Sequence, residues 1–220
     1  MARERTTLQN VHDVLIIPAS EVKSGLNLSA RFPAVRPLYV DVGCGRGRFL
    51  LAQARNHPDT NFLGIDRVSR RLHKIDHRAC QAGLTNIRLI QGSASEIIRE
   101  ILEPRSVSVF FIFFPDPWPK RRHQCHRLVS PDFMAGLHAA LVETGDVHIC
   151  TDHEDYFLAI SKLFASDSRF SGIPPFVPCA EEETDFEILF RSLGRSARRC
   201  SFRKQRLPIT SASEDRALHS

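Results

Sequence analysis

Several things are scarce in this 220-residue chain, and each scarcity removes a class of function. No apolar run approaches the roughly 20 residues that a membrane-spanning helix needs. The opening MARERTTLQN has no apolar core of the kind a secretory signal requires. A cytoplasmic chain without a membrane partner is therefore expected. Six cysteines, Cys44, Cys80, Cys125, Cys150, Cys179 and Cys200, stand at wide, irregular spacings with no CxxC pair, which argues against a zinc site and a disulfide framework. Reduced, mostly buried thiols are expected instead. His73 and His77 lie four apart on a predicted helix, but no HExxH carboxylate accompanies them, so no metal is assigned. Tryptophan occurs once, at Trp118.

An apolar fraction of 42% and a charged fraction of 25% fit one soluble globular core, and no low-complexity linker divides the chain. The organisation expected is an N-terminal segment over 1–37, one domain over 38–207 and a disordered tail over 208–220, where no apolar pattern remains. The net charge of +5 hides a concentration. Arg191, Arg195, Arg198, Arg199, Arg203, Lys204 and Arg206 follow one another without an acidic residue, and a second basic group follows Trp118. Such segments suit a polyanionic partner. A strand edge kept soluble by charge explains the first group equally well.

From residue 38 short apolar runs alternate with helical patterns. LYVDV (Leu38 to Val42) reads as a strand ending at the glycine cluster GCGRG, followed by a helix that stops near Pro58. NFLGID is a second strand, and Ser69 is a plausible N-cap for a helix carrying Leu72, Ile75 and Ala79 and ending at Gly83. NIRLI is a third strand, followed by a helix with Ala94, Ile97, Ile98, Ile101 and Leu102. VSVFFIFF is a fourth strand, apolar on both faces and so expected at the centre of the sheet. Ser130 and Pro131 start the next helix, which Gly145 ends; DVHIC is a fifth strand, and Thr151 and Asp152 are expected to cap another helix. SDSRFSGIPPFVPCA reads as a loop, and TDFEILF and RRCSFRK as two strands joined by a turn at Gly194, with no helix between them.

These elements imply an α/β fold: a mainly parallel, seven-stranded sheet with an antiparallel edge hairpin and helices on both faces. Ligands of such sheets sit at the carboxyl ends of the strands, which lines up Asp41, Asp66, Ser93, Asp116 and Asp152 on one rim. Gly43, Gly45 and Gly47 let backbone approach a ligand closely, but G-x-G-x-G with Arg48 following is not the G-x-G-x-x-G of a dinucleotide site. Asp66, about 20 residues past the glycines, stands where a carboxylate accepts adenosine ribose hydroxyls. Asp41 suits the ammonium of S-adenosylmethionine better than a phosphate. In FFIFFPDPWPKRRHQCHR, Pro115, Pro117 and Pro119 stiffen the loop, so Asp116 is held at the mouth of the strand. Trp118 offers a surface for a base, and Lys120, Arg121, Arg122, His123, His126 and Arg127 offer charge for phosphates.

DVGCGRGRFL, NFLGID, FPDPWPKRRHQCHR, TDHEDYF and TDFE, in this order over residues 38 to 204, resemble the bacterial tRNA (guanine-N7-)-methyltransferase family. The resemblance implies a Rossmann-like class I methyltransferase that uses S-adenosylmethionine to methylate a guanosine in the tRNA variable loop, as a monomer or homodimer. It implies cofactor contacts for Asp41, Gly43, Gly45, Asp66, Ser93, Ala94 and Asp116, the last also in a catalytic role. It assigns Lys120, Asp152, Thr184, Asp185, Phe186 and Glu187 to the substrate nucleoside, and Arg122, His123, Gln124, Cys125, His126 and Arg127 to RNA. Ser93 departs from the pattern, since the family usually has Asp or Asn before that alanine. A methyltransferase acting on a small molecule or protein is the alternative, as is a non-catalytic RNA-binding protein on the same fold; a nicotinamide dehydrogenase is disfavoured by the glycine spacing.

Overall fold

The computed structural model describes residues 15–18, 21–22 and 26–206. The tail expected over 208–220 lies outside them. Eight strands form one sheet: β1 (Ile16–Ile17), β2 (Leu38–Val42), β3 (Asn61–Asp66), β4 (Ile87–Gln91), β5 (Val107–Phe113), β6 (Leu141–Thr151), β7 (Phe170–Ile173) and β8 (Arg198–Lys204). Their order is β1-β4-β3-β2-β5-β6-β8-β7, and β8 alone runs antiparallel to its neighbours β6 and β7. The strand beyond the seven expected is β1, a two-residue pairing of Ile16 and Ile17 with Leu89 and Ile90.

Among the described residues, the helices that cover the faces are α1 (Arg48–Asn56), α2 (Ser69–Gln81), α3 (Ala94–Glu100), α4 (Pro131–Ala140), α5 (Glu154–Ala165) and α6 (Asp185–Ser192). On one face α3, α4 and α5 contribute Ile97, Ile98, Phe133, Leu137, Ile160 and Phe164 to a large core. On the other, Leu50, Leu51 and Ala54 of α1 pack with Leu72, Ile75 and Ala79 of α2. β5 is central, between β2 and β6. Its Phe110 and Ile112 enter the first core, and its Val109, Phe111 and Phe113 a third cluster with Phe49 of α1. At roughly 1.5–3 kcal/mol per fully buried large apolar side chain, these opposed rows make β5 the main anchor of the sheet.

The antiparallel edge is built from other residues than expected. TDFEILF is a helix, α6, because Thr184 and Glu187 form a reciprocal capping box: the Thr184 hydroxyl accepts from Glu187 N at 3.1 Å and the Glu187 carboxylate from Thr184 N at 2.7 Å. The partner strand of β8 is instead β7, inside the stretch read as a loop, so the edge pair is joined through α6 and not by a hairpin turn at Gly194. α4 ends at Ala140 and not at Gly145, because β6 begins at Leu141. At α5 the cap is His153, whose Nδ1 accepts from Tyr156 N, while Thr151 still belongs to β6. α2 has Val68 in the cap position with no side-chain cap; Ser69 is already helical. The thiols are also less buried than expected. Cys44 and Cys150 are buried, but Cys80, Cys125 and Cys179 are exposed, on α2, in a 3-10 turn and in a loop respectively.

Candidate active site

After β2 the chain continues outward to β3 and β4, then crosses back to β5 and β6 on the other side of β2. The carboxyl ends of β2 and β5 therefore flank a topological switch point, where open α/β sheets bind ligands. Asp41 pairs in register with Gly64 on one side and Phe111 on the other, all in parallel strands. The glycine turn after β2 and the Trp118 loop after β5 thus leave adjacent strands at the same end of the sheet.

The glycine turn takes its shape from three left-handed residues, with φ of 78° at Gly43, 57° at Gly45 and 72° at Gly47. Gly47 is also boxed in, because a Cβ there would lie 2.5 Å from Ile75 Cγ1. At Gly43 a Cβ would meet nothing within 4 Å, and at Gly45 only Gly43 O at 3.8 Å, so open space lies over the turn. Asp66 ties the turn to β3: Oδ2 accepts from Gly45 N at 2.9 Å, and Oδ1 from Val68 N at 2.8 Å. Arg71 lies 3.4 Å from the same carboxylate.

Asp41 is different. It is 6% exposed, and no described residue donates a hydrogen bond to its carboxylate. Burial in the first place, and the neighbouring Asp66 charge in the second, push its pKa up to about 7. A buried acid without a donor, beside an open glycine turn, fits a cationic ligand group. Ser93 precedes α3 half-buried and without a capping bond; its hydroxyl lies 3.4 Å from Arg67 Nη2.

The other half of the rim comes from β5, β6 and α6. Phe114 N donates to Cys150 O at 2.7 Å, and the chain then turns through Pro115 to the exposed Asp116. Phe114 and Trp118 both have positive φ, 52° and 41°. Trp118 packs on its own loop, 5.2 Å from the His126 ring and 6.0 Å from that of His123, and remains 37% exposed. The segment Arg121–His126 is a 3-10 helix. Lys120 and Arg121 are exposed and make no ion pair among the described residues.

α6 is brought against this loop by aromatic contacts that sequence reasoning missed. Phe114 packs on Phe186 at 5.7 Å and on Phe190 at 5.4 Å. Arg199, on β8, read in sequence only as part of a basic run, pairs with the buried Glu187 and lies 6.0 Å over the Phe113 ring. Arg48, noted only as breaking a dinucleotide fingerprint, donates through Nε to Glu183 O at 3.0 Å, and Asn56 reaches Glu182 at 2.9 Å. These bonds join the segment before α6 to the helix after the glycine turn. The capping spacing T-x-x-E was the available signal for α6; the Arg48 and Arg199 contacts span 135 and 12 residues and left no local trace.

The structure therefore places Asp41, Gly43, Gly45, Asp66, Ser93, Asp116 and Asp152 at or just past the carboxyl ends of β2 to β6, while Thr184 caps α6, which carries Asp185 and Phe186 and packs on Phe114. Within that helix Asp185 and Phe186 are exposed, whereas Glu187 is occupied by the cap and by Arg199. The two basic segments separate sharply. Arg191, Arg195, Arg198, Arg199 and Arg203 pair with Glu183, Asp152, Glu154, Glu187 and Asp146, and Lys204 Nζ donates to Leu141 O. Most of the C-terminal charge is thus neutralised within the chain.

Residues 35–200 match the model of a family described as "Putative methyltransferase". Among curated proteins, the tRNA (guanine-N(7)-)-methyltransferase of Leifsonia xyli is 36% identical over 176 residues, covering 78% of each chain. That of Halalkalibacterium halodurans is 40% identical over 121 residues, and this chain spans about half of its length, 54%. Among solved structures, a 16S rRNA methyltransferase superposes with a TM-score of 0.60 at 14% identity, over 85% of this chain and 92% of that one. By these matches the chain belongs to the tRNA (guanine-N(7)-)-methyltransferase family.

Proposed function

We propose that the chain transfers a methyl group from S-adenosylmethionine to N7 of a guanosine in the tRNA variable loop, acting in the cytoplasm as a monomer or homodimer. The observation that carries this reading is the buried, donor-free carboxylate of Asp41 beside an open glycine turn, with the Asp116 loop and its free cations leaving the next strand at the same end. When bound, the cofactor supplies an electrophilic methyl on a sulfonium. Asp41 holds the cationic amino-acid end, and Asp66 faces the ribose hydroxyls while fixing the turn through Gly45 N. Ser93 and Ala94 border the adenine.

Guanine N7 carries an in-plane lone pair and no proton, so the chain needs no obligatory base. Orientation does most of the work, and a near-attack geometry is worth about 7–11 kcal/mol. The exposed Asp116 and the half-buried Asp152 meet the positive charge that develops on the purine. Lys120, Thr184, Asp185 and Phe186 contact the nucleoside, and Glu187 supports them through the α6 cap. Arg121, Arg122, His123, Gln124, Cys125 and His126 follow the RNA backbone. Taking a base out of tRNA tertiary structure costs a few kcal/mol, which phosphate contacts from this loop offset. Incubation with cofactor and unmodified tRNA, followed by chemical cleavage at N7-methylguanosine, tests the reading: one variable-loop cleavage is expected, and none would refute it.

A further inference from the structure

Resting on that reading, we propose that Arg127 is a positioning residue that holds the Asp116 segment from inside the loop and does not serve as a phosphate contact. Its Nε donates to Pro117 O at 2.9 Å, on the residue next to Asp116. Its guanidinium lies over the Tyr156 ring, 4.6 Å from the centroid. Tyr156 is 1% exposed, and its hydroxyl accepts from Val129 N at 3.1 Å, so the surface under Arg127 is fixed by α5. Arg127 is half-buried, and its Nη2 is out of solvent with no hydrogen-bond partner among the described residues, so this part of the guanidinium faces the loop interior.

The segment needs such a restraint. Phe114 and Trp118, on either side of Asp116, both hold left-handed backbone that residues with side chains rarely adopt. Conformations of this kind persist only where the surroundings over-determine them. On the amino side the restraint is the bond from Phe114 N to Cys150 O; on the carboxyl side it is Arg127 on Pro117 O. Pro117, which accepts the Arg127 bond, adjoins Asp116 in the chain, so strut and carboxylate share one neighbourhood.

Arg127→Lys separates the two roles, because lysine keeps the charge a phosphate would feel but lacks the planar group that both stacks and bonds. The full chain is assayed for single-turnover N7 methylation at saturating tRNA and cofactor, and for tRNA affinity against salt. A positioning role predicts a rate constant lower by about 10- to 100-fold, with the salt slope of tRNA binding unchanged and Arg127→Met no worse in affinity than Arg127→Lys. A wild-type rate in Arg127→Lys, with the salt slope reduced by about one in Arg127→Met, would overturn it. Absence of N7 methylation by the wild-type chain would instead refute the proposed function, so the two failures are distinct.

Discussion

If Asp41 grips a cation, cofactor affinity must follow its ionisation. With a pKa of about 7 in the free protein, roughly 3% of the carboxyls are ionised at pH 5.5 and roughly half at pH 7. If only the carboxylate binds the cationic end, the dissociation constant for S-adenosylmethionine falls about 15-fold across that window, about 1.6 kcal/mol. The window stops below the usual range of the ligand's own amine. Calorimetry at several pH values measures the affinity, and repeating pH 7 in buffers of different ionisation enthalpy counts the protons, about half of one released per site. Stability carries the opposite sign. The folded pKa lies above the unfolded one, so between about pH 4 and pH 7 the folded chain keeps a proton that the unfolded chain releases, and stability falls as pH rises. Above pH 7 the full cost remains, up to about 4 kcal/mol at about 1.4 kcal/mol per tenfold change in proton affinity. Asp41→Asn should therefore be more stable than wild type at pH 8, nearly equal at pH 4, and unable to bind cofactor tightly. A flat affinity between pH 5.5 and 7, together with an Asp41→Asn variant less stable at pH 8, would refute this reasoning.

Gly47→Ala should destabilise by about 1–3 kcal/mol, since it meets both a left-handed φ and the Ile75 side chain; adding Ile75→Val should recover part of that loss in denaturant unfolding. Glu187→Ala strands Arg199 and Thr184 N, so unfolding free energy should drop by about 3–5 kcal/mol, and a loss under 1 kcal/mol would show the pair to be solvated. Neutralising Arg121 or Arg122 should each lower the salt slope of tRNA binding by about one. Arg198→Ala, which breaks a pair with Glu154, should leave that slope unchanged.

The legible parts were those with a local signature. β2 and β5 could be read from apolar runs closed by glycine or proline, β3 from the apolar run ending at Asp66, and the rim of Asp41, Asp66 and Asp116 followed from their places at or near strand ends. α6 was misread because Phe186, Ile188 and Phe190 favour strand by composition, while one capping box sets the state. β7 is short, and SGIPP looks like loop; only pairing with β8 makes it a strand. Charge was the most misleading signal. A run of arginines looks cationic in sequence, yet its neutralising acids come from β6, α5 and the α6 region, up to 57 residues away. Likewise Arg127 sits in a basic string, and only Tyr156 and Pro117 O reveal that it turns inward.

The most direct measurement is the single-turnover rate of N7-methylguanosine formation on unmodified tRNA between pH 7.5 and 9, in water and in deuterium oxide, for the wild-type chain and Asp116→Asn. Since N7 holds no proton to remove, both rates should be nearly independent of pH and of solvent isotope, with the variant slower throughout by a constant factor. A wild-type rate that falls by about half or more in deuterium oxide, with that effect lost in Asp116→Asn, would place a proton in flight at Asp116 and contradict catalysis by orientation and charge.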